Sequence, residues 1–457
     1  MDILGPAFRL ASGKAWDAGK YPDFPILFYG LIFRPALFLG VENMGALFAL
    51  ARVVNLALTL LSASLLYFSS KRFLSPAWQS VCLALFLACP AVLFAAVYVK
   101  VESLILVETL LAFLFAQKSL ERPERLRYAA FCGAASALSF ATKYNPFPAL
   151  FFLSALFLAA RRSRIPKSGF LRPFLVFSFA FLLAAVCAWP GILHILGRRS
   201  GLVSDLYFSS LPSPYKAAAD FFAFPEGRIA YPLLLILPVG VGFFQSLAGA
   251  WGLASRSVKK DFSSLVLPYF FCYLAAVIGA VAIHSPWLFT PLAPFFALAA
   301  SAALSRLPRR TAPLVAVAAL SLSLYQAPAV VDLVQGVQNA ILRAHADASD
   351  ARAEKDELMV LVNGPLTLRA GLDAENLDAE VRKKSPRFIL IYEAYVQNFC
   401  RYPENPGYLR QCRYLQGLVS EPRGYHTVWS QRTSFPLRSV IPFPEARARF
   451  VFLEKNA

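Results

Sequence analysis

The chain has 457 residues, of which 58% are hydrophobic and only 16% charged, with a formal net charge of +18 and a mean hydropathy of +0.54. Soluble domains carry about 25% charged residues, so a chain that is water-soluble throughout is excluded. The basic excess does not indicate a nucleic-acid partner, because it sits in short clusters between apolar runs instead of on one polar face.

The chain opens on a polar stretch, Trp16-Asp17-Ala18-Gly19-Lys20-Tyr21-Pro22-Asp23, which reads as a loop with turn chemistry or the aromatic edge of a membrane. Residues 24–40 are apolar but short, and Arg34-Pro35 interrupts them. Pro breaks a helix interior, so this segment reads either as a short extra span or as an interfacial helix. Residues 1–45 are therefore expected to form an external loop and an interfacial helix.

Residues 46–330 hold the long apolar windows. A ~30 Å hydrocarbon core needs about twenty residues of helix, and the windows fall near 46–68, 77–97, 102–117, 128–143, 146–161, 172–195, 230–254, 263–283, 286–305 and 312–330. Ten spans are expected. Lys71-Arg72, Lys118 to Arg127, Arg161 to Arg172, Arg256 to Lys260 and Arg306 to Arg310 occupy every second connection. Lys and Arg keep loops on the cytoplasmic side. The opposite, external face then carries residues 98–102, 143–146, the loop 196–229, residues 284–287 and everything after about 331.

Residues 331–457 have an ordinary soluble composition. Leu358 to Asn363, Arg387 to Tyr392 and Phe450 to Leu453 are short β-rich runs, while 348–357 and 404–418 have helical spacing. A small α+β domain on the extracytoplasmic side is expected. Cys400 and Cys412 fall within it: an oxidising compartment allows a disulfide, and two free thiols are the alternative. The other five cysteines lie in apolar runs and read as packing residues.

No P-loop, GxGxxG, HExxH or GxSxG pattern stands in the chain, which weighs against ATPases, dinucleotide enzymes, zincins and serine hydrolases. The chemistry is left to ionisable residues at span ends, which are costly in lipid and default to functional candidates. Tyr98-Val99-Lys100-Val101-Glu102 joins an acid and a cation on the external face, and a solvated charge pair is the plainer reading. Glu108, inside the next span, reads as a hydrogen-bonded packing residue. Ala141-Thr142-Lys143-Tyr144-Asn145-Pro146 brings a second lysine to the same face, able either to donate to a phosphate or to snorkel. Arg52 lies inside the first span, where its planar fork suits phosphate. Asp17 and Asp23 add acids, and His284 in His284-Ser285-Pro286-Trp287 is the one histidine carried as a site candidate.

In this order the pieces resemble one family. The run from Ile3 to Ile32 is similar to the first external loop of the polyprenyl-phosphate-sugar-dependent membrane glycosyltransferases of the GT-C fold, the superfamily of protein O-mannosyltransferases and lipid A aminoarabinose transferases. The segments ALARVVNLALTLLSASLLYF, PAVLFAAVYVKVESLILVETLLAFL, GAASALSFATKYNPFPALFFL and WLFTPLAPFFALAASAAL resemble successive spans of that family, and SDARAEKDELMV and RFILIYEAYVQNFCRY its external domain. The resemblance implies a mainly α polytopic helical bundle with a small α+β extracytoplasmic domain, in the inner membrane. It implies transfer of a sugar from a polyprenyl-phosphate carrier to a lipid, glycan or protein acceptor. Glu102, Asp17 and Asp23 would act on the acceptor, and Arg52, Lys100, Lys143, Tyr144 and His284 on the carrier phosphate. No cofactor is expected beyond the lipid-linked donor, and a divalent metal is left open.

The chain departs from the family's pattern at two places. The family's principal acidic pair lies just upstream of the Ile3 run, where this chain begins Met1-Asp2. Either that pair and its preceding span belong before the present start, or Asp2 is a remnant. Trp287 stands where the late span often has a basic residue. A non-catalytic homologue therefore stays open as a rival, as does a lipid-linked-sugar flippase, although a flippase predicts internal repeats and none is visible.

Overall fold

A computed structural model describes residues 3–14, 22–41, 44–97, 99–162, 170–189, 237–254, 260–280, 283–284, 286–351, 357–361, 368–369, 377–393, 396, 400, 406–422, 424–432 and 449–456. The chain divides into two compact units. The first comprises Met1–Ser210, Leu237–Ala280 and Trp287–Leu324; the second comprises Leu211–Ile236, Val281–Pro286 and Tyr325–Ala457.

The first unit is helical. Its elements run α1 (Leu4–Ala11), α2 (Asp23–Phe38), α3 (Met44–Ser70), α4 (Pro76–Leu87), α5 (Pro90–Val97), α6 (Glu102–Glu121), α7 (Leu126–Lys143), α8 (Ala149–Arg161), α9 (Leu171–Ala188), α10 (Leu237–Val241), α11 (Phe243–Ala254), α12 (Lys260–Ala280), a 3₁₀ segment Pro286–Leu292 and α13 (Ala293–Leu304). The long helix α14 (Thr311–Asp350) starts in this unit. Among the described residues α3, α6 and α9 are long and apolar enough to cross a membrane by length and composition. Apolar helices of 10–17 residues lie at Ala149–Arg161, Asp261–Val277, Leu288–Leu304 and Thr311–Gln326.

Several sequence expectations need correction. The window 77–97 is two helices, α4 and α5, bent by 62°; Pro90 at the start of α5 cannot donate to the α4 ladder. The window 230–254 is broken at Gly242, whose φ of 105° only glycine adopts readily. Residues 4–11, expected in a loop, form α1 and pack beneath α2, with Ile3, Leu4 and Ala7 in one apolar cluster with Ile26 and Tyr29. Pro35 does not break α2: it falls in the last turn, and the helix continues to Phe38. The window 312–330 continues to Asp350, so the helix expected at 348–357 is only the end of α14, with residues 352–356 outside the described residues.

The helix α6 sits inside the bundle with most of its side chains buried, whereas α9 leaves Phe179, Leu182 and Leu183 exposed. Fully buried Phe113 of α6 meets Phe151 of α8, Phe262 of α12 and Phe295 of α13 at centroid distances of 5.2, 6.2 and 5.1 Å. Small residues let other helices come closer still. A Cβ on Gly133 would meet the Phe177 carbonyl of α9, and one on Gly252 the Ala299 carbonyl of α13, the packing expected where lipid offers no hydrophobic drive between helices. The far end of α6 is tied by charge: Arg72 donates to Glu121 at 3.1 Å and to Asp261 at 3.0 Å, and Arg162 also pairs with Asp261. This joins the basic ends of α3 and α8 to α6 and α12, one helix length (about 30 Å for twenty residues) from Glu102.

The second unit is a four-stranded sheet with helices. Its strands are β2 (Leu358–Leu361), β4 (Phe388–Tyr392), β5 (Tyr425–Arg432) and β6 (Arg449–Lys455), in the order β2-β4-β6-β5; β2 and β4 are parallel and the other pairs antiparallel. A separate two-stranded pairing joins β1 (Ile283–His284) to β3 (Leu368–Arg369). The central strand β4 is buried along its whole length. Ala340, Ala344 and Ala348 repeat every fourth residue along one face of α14 and share a core with Ile389, Ile391 and Phe452. Val381 of α15 (Leu377–Lys384) and Leu415 of α16 (Pro406–Ser420) complete that core. Cys400 and Cys412 form a disulfide, resolving the choice between bonded and free thiols.

Candidate active site

The site forms at the start of α6. Val101, Leu104 and Ile105 pack into a cluster with Tyr29 and Phe33 of α2 and Leu47 and Ala51 of α3. That apolar anchoring draws the intervening Glu102 inward, to 2% exposure. The antiparallel partner α7 ends one residue past Thr142, so Lys143 meets Glu102: its Nζ donates to Glu102 Oε1 at 2.7 Å. Both charges sit at the favourable ends of their helices, the carboxylate in the first turn of α6 and the ammonium in the last turn of α7. Glu102 Oε2 is buried without a hydrogen-bond partner. Lys100 lies within electrostatic reach of the same carboxylate and 5.8 Å above the Phe94 ring.

The turn after Lys143 is tight. Tyr144 is left-handed, with φ 54°, and its N–H bonds the Phe140 carbonyl at 2.9 Å, an αL helix stop ahead of Pro146. For a bulky residue that conformation costs of order 1 kcal/mol, and packing holds it. The Tyr144 ring meets Trp189 edge-on at 5.5 Å, in a cluster that includes Phe24. This brings Tyr144 near the buried Asp23. Arg52 follows Ala51 on α3, stacks its guanidinium 4.7 Å over Phe48 and keeps a buried Nε without a hydrogen-bond partner.

Glu102, Lys100 and Lys143 thus come together, Asp23 and Tyr144 adjoin them, and Arg52 stands on the helix that packs against α6. His284 lies in the second unit, on β1 opposite Leu368. Asp17 lies outside the described residues. Two polar residues escaped the sequence reading. The hydroxyl of fully buried Tyr29 donates to Asn55 Oδ1, and Tyr29 interacts electrostatically with Glu102. Asn55, a polar residue inside a span and one turn from Arg52, was the available signal. Among the described residues, no three His, Cys, Asp or Glu side chains gather as metal ligands would.

A solved structure shares this architecture. ArnT from Cupriavidus metallidurans bound to undecaprenyl phosphate superposes with a TM-score of 0.52 at 14% identity, covering 99% of this chain and 92% of that one. The chain has a GT-C glycosyltransferase-like fold. ArnT from the same organism in the apo state gives a TM-score of 0.45 at 16% identity, over 75% of this chain and 66% of that one. No family model and no curated protein matches the sequence. With its apolar helices and this fold, the chain is a membrane protein. The arrangement presents a buried carboxylate oxygen of Glu102 beside the Lys143 ammonium, with Lys100 within electrostatic reach.

Proposed function

We propose that this chain is a membrane glycosyltransferase that moves a sugar from a polyprenyl-phosphate carrier to a hydroxyl or amine on a lipid, glycan or protein acceptor. The observation that carries this reading is the buried Glu102, held by Lys143 through one oxygen while the other has no hydrogen-bond partner. The acceptor O–H or N–H loses its proton to Glu102 Oε2 as its oxygen or nitrogen bonds to the anomeric carbon. The anomeric carbon–oxygen bond to phosphate breaks, and its electron pair leaves with the polyprenyl phosphate. Lys100, Lys143 and Arg52 stabilise that charge as it develops. Asp23 orients the acceptor, and Tyr144 lines the carrier's path. That the protein named above binds undecaprenyl phosphate supports a lipid phosphate as carrier. The Cys400–Cys412 disulfide supports an extracytoplasmic second unit, since such bonds persist in oxidising compartments, and therefore a multi-pass protein of the inner membrane working on its outer face.

The test is transfer by membranes carrying the full chain and its Glu102→Gln variant, supplied with an undecaprenyl-phosphate-linked sugar. Loss of the base lowers the rate by about 10² to 10⁴. Equal rates in variant and wild type would remove Glu102 from the chemistry and the mechanism with it.

A further inference from the structure

Two helices of the first unit are broken, and their breaks meet. One break falls at Ala88 and Cys89, between α4 and α5; the other falls at Gly242, between α10 and α11. Each side supplies a donor to the other. Gln245, in the first turn of α11 and fully buried, donates its amide to the Leu85 carbonyl of α4 at 2.6 Å and lies 3.3 Å from Ser323 Oγ of α14. Fully buried Cys89 donates in return from Sγ to the Gly240 carbonyl of α10 at 3.3 Å. Both acceptors fall among the last four carbonyls of their helices, which have no intrahelical donor. Breaks of this kind persist in a membrane where neighbouring helices satisfy the freed backbone groups.

The first of these breaks has leverage on the candidate site. The helix α5 is bent from α4 by 62° and points toward the Lys100–Glu102 segment. Phe94 of α5 carries the Lys100 ammonium 5.8 Å above its ring, and the Ala95 carbonyl accepts from Ser103 Oγ of α6 at 2.6 Å. Glu102 is seated separately, by the apolar neighbours that α2 and α3 give to Val101, Leu104 and Ile105, so the direction of α5 bears on Lys100 first. At about 1.5 Å per residue α5 is about 12 Å long, and a swing of about 10° at the bend moves its far end about 2 Å. Misplacement by about 1 Å costs as much as 10²-fold in rate.

We infer that Gln245 and Cys89 form a latch between the two broken helices, one that fixes the direction of α5 and so places Lys100 for the carrier phosphate. Both are positioning residues: they act through the α4–α5 bend and the Phe94 ring, not on the reacting atoms. The placing of Lys100 rests on the transferase reading; the latch does not.

Two experiments separate them. Hydrogen exchange of the purified full chain reads the latch without activity. Gln245→Met keeps the length of the side chain and removes its donor, so the α5 amides are expected to exchange severalfold faster than in wild type while those of α8 hold. Unchanged α5 exchange, or equal quickening in α8, would overturn the latch. If Gln245→Met does not fold, Cys89→Ala and Cys89→Ser carry the same comparison: the alanine variant quickens α5, and the serine variant, which restores a donor to Gly240, does not. For function, Gln245→Met is expected to lower kcat/KM for an undecaprenyl-phosphate-linked sugar about tenfold, short of the full misplacement cost because Ser103 still holds the far end of α5. In a Lys100→Met background the same change is expected to have little further effect, since the group it places is gone. Losses that multiply in the double variant would mean that Gln245 acts on stability alone and would overturn the placing of Lys100. If the wild type transfers no sugar, the transferase reading and the placing of Lys100 fail together, while the exchange comparison still decides the latch.

Discussion

Replacing Lys143 by Met keeps the aliphatic stem of the residue and removes its ammonium, leaving Glu102 without the donor at 2.7 Å. Removing one partner of a buried pair costs 3–5 kcal/mol by precedent, against about 0–1 for exposed pairs. The acid is 2% exposed and the lysine 26%, so the desolvation falls on Glu102, and Lys143 keeps contact with solvent. Lys100 stays within electrostatic reach of the carboxylate. Together these place the cost of Lys143→Met near the low end, about 3 kcal/mol. Glu102→Gln leaves an ammonium that can reach water and costs about 1 kcal/mol. The double variant has no orphaned charge, so it is expected to be more stable than Lys143→Met alone, with a coupling of about 2 kcal/mol. Thermal unfolding of the four proteins, in one detergent at one scan rate because such unfolding is commonly irreversible, measures the cycle. A Lys143→Met protein as stable as wild type, or a double variant destabilised by the sum of the singles, would refute the buried pair.

Arg52→Lys keeps the charge of Arg52 but loses the planar fork that binds phosphate through two parallel bonds, so KM for the lipid-linked donor is expected to rise about tenfold in a transfer assay. Gly252→Ala drives a methyl into the Ala299 carbonyl and should cost about 1–3 kcal/mol, read as a lower thermal midpoint. In the second unit, Gln411 donates to Asp378 at 2.9 Å and holds that carboxyl below its usual range, against the opposing pull of partial burial and with help from Arg410. Because the folded value is depressed, this stabilisation is present above the ordinary Asp range of about 4. It is lost as pH falls through the folded value. Hydrogen-exchange protection of the α15 and α16 amides, corrected for the intrinsic pH dependence of exchange, should therefore fall in acid for wild type, and less so for Asp378→Asn.

The charge and hydropathy pattern determined a good deal. Long apolar runs can only become helices in a bilayer, so the helical bundle was legible from composition, and the β-rich runs at 358–363, 387–392 and 450–453 reappear as β2, β4 and β6 because apolar runs bounded by polar or turn residues bury as strands. Glu102 and Lys143 stood out as charges at the ends of apolar windows. Their pairing did not, because 41 residues separate them and only the antiparallel packing of α6 on α7 brings one helix's start to the other's end. Tyr29 and Asn55 were hidden for a similar reason: inside an apolar run, a tyrosine reads as core until a partner from another helix is seen at its hydroxyl. The 62° bend between α4 and α5 and the uninterrupted α2 at Pro35 also belong to the tertiary structure. Proline removes a local hydrogen bond, but whether a helix bends, stops or continues there depends on what packs around it.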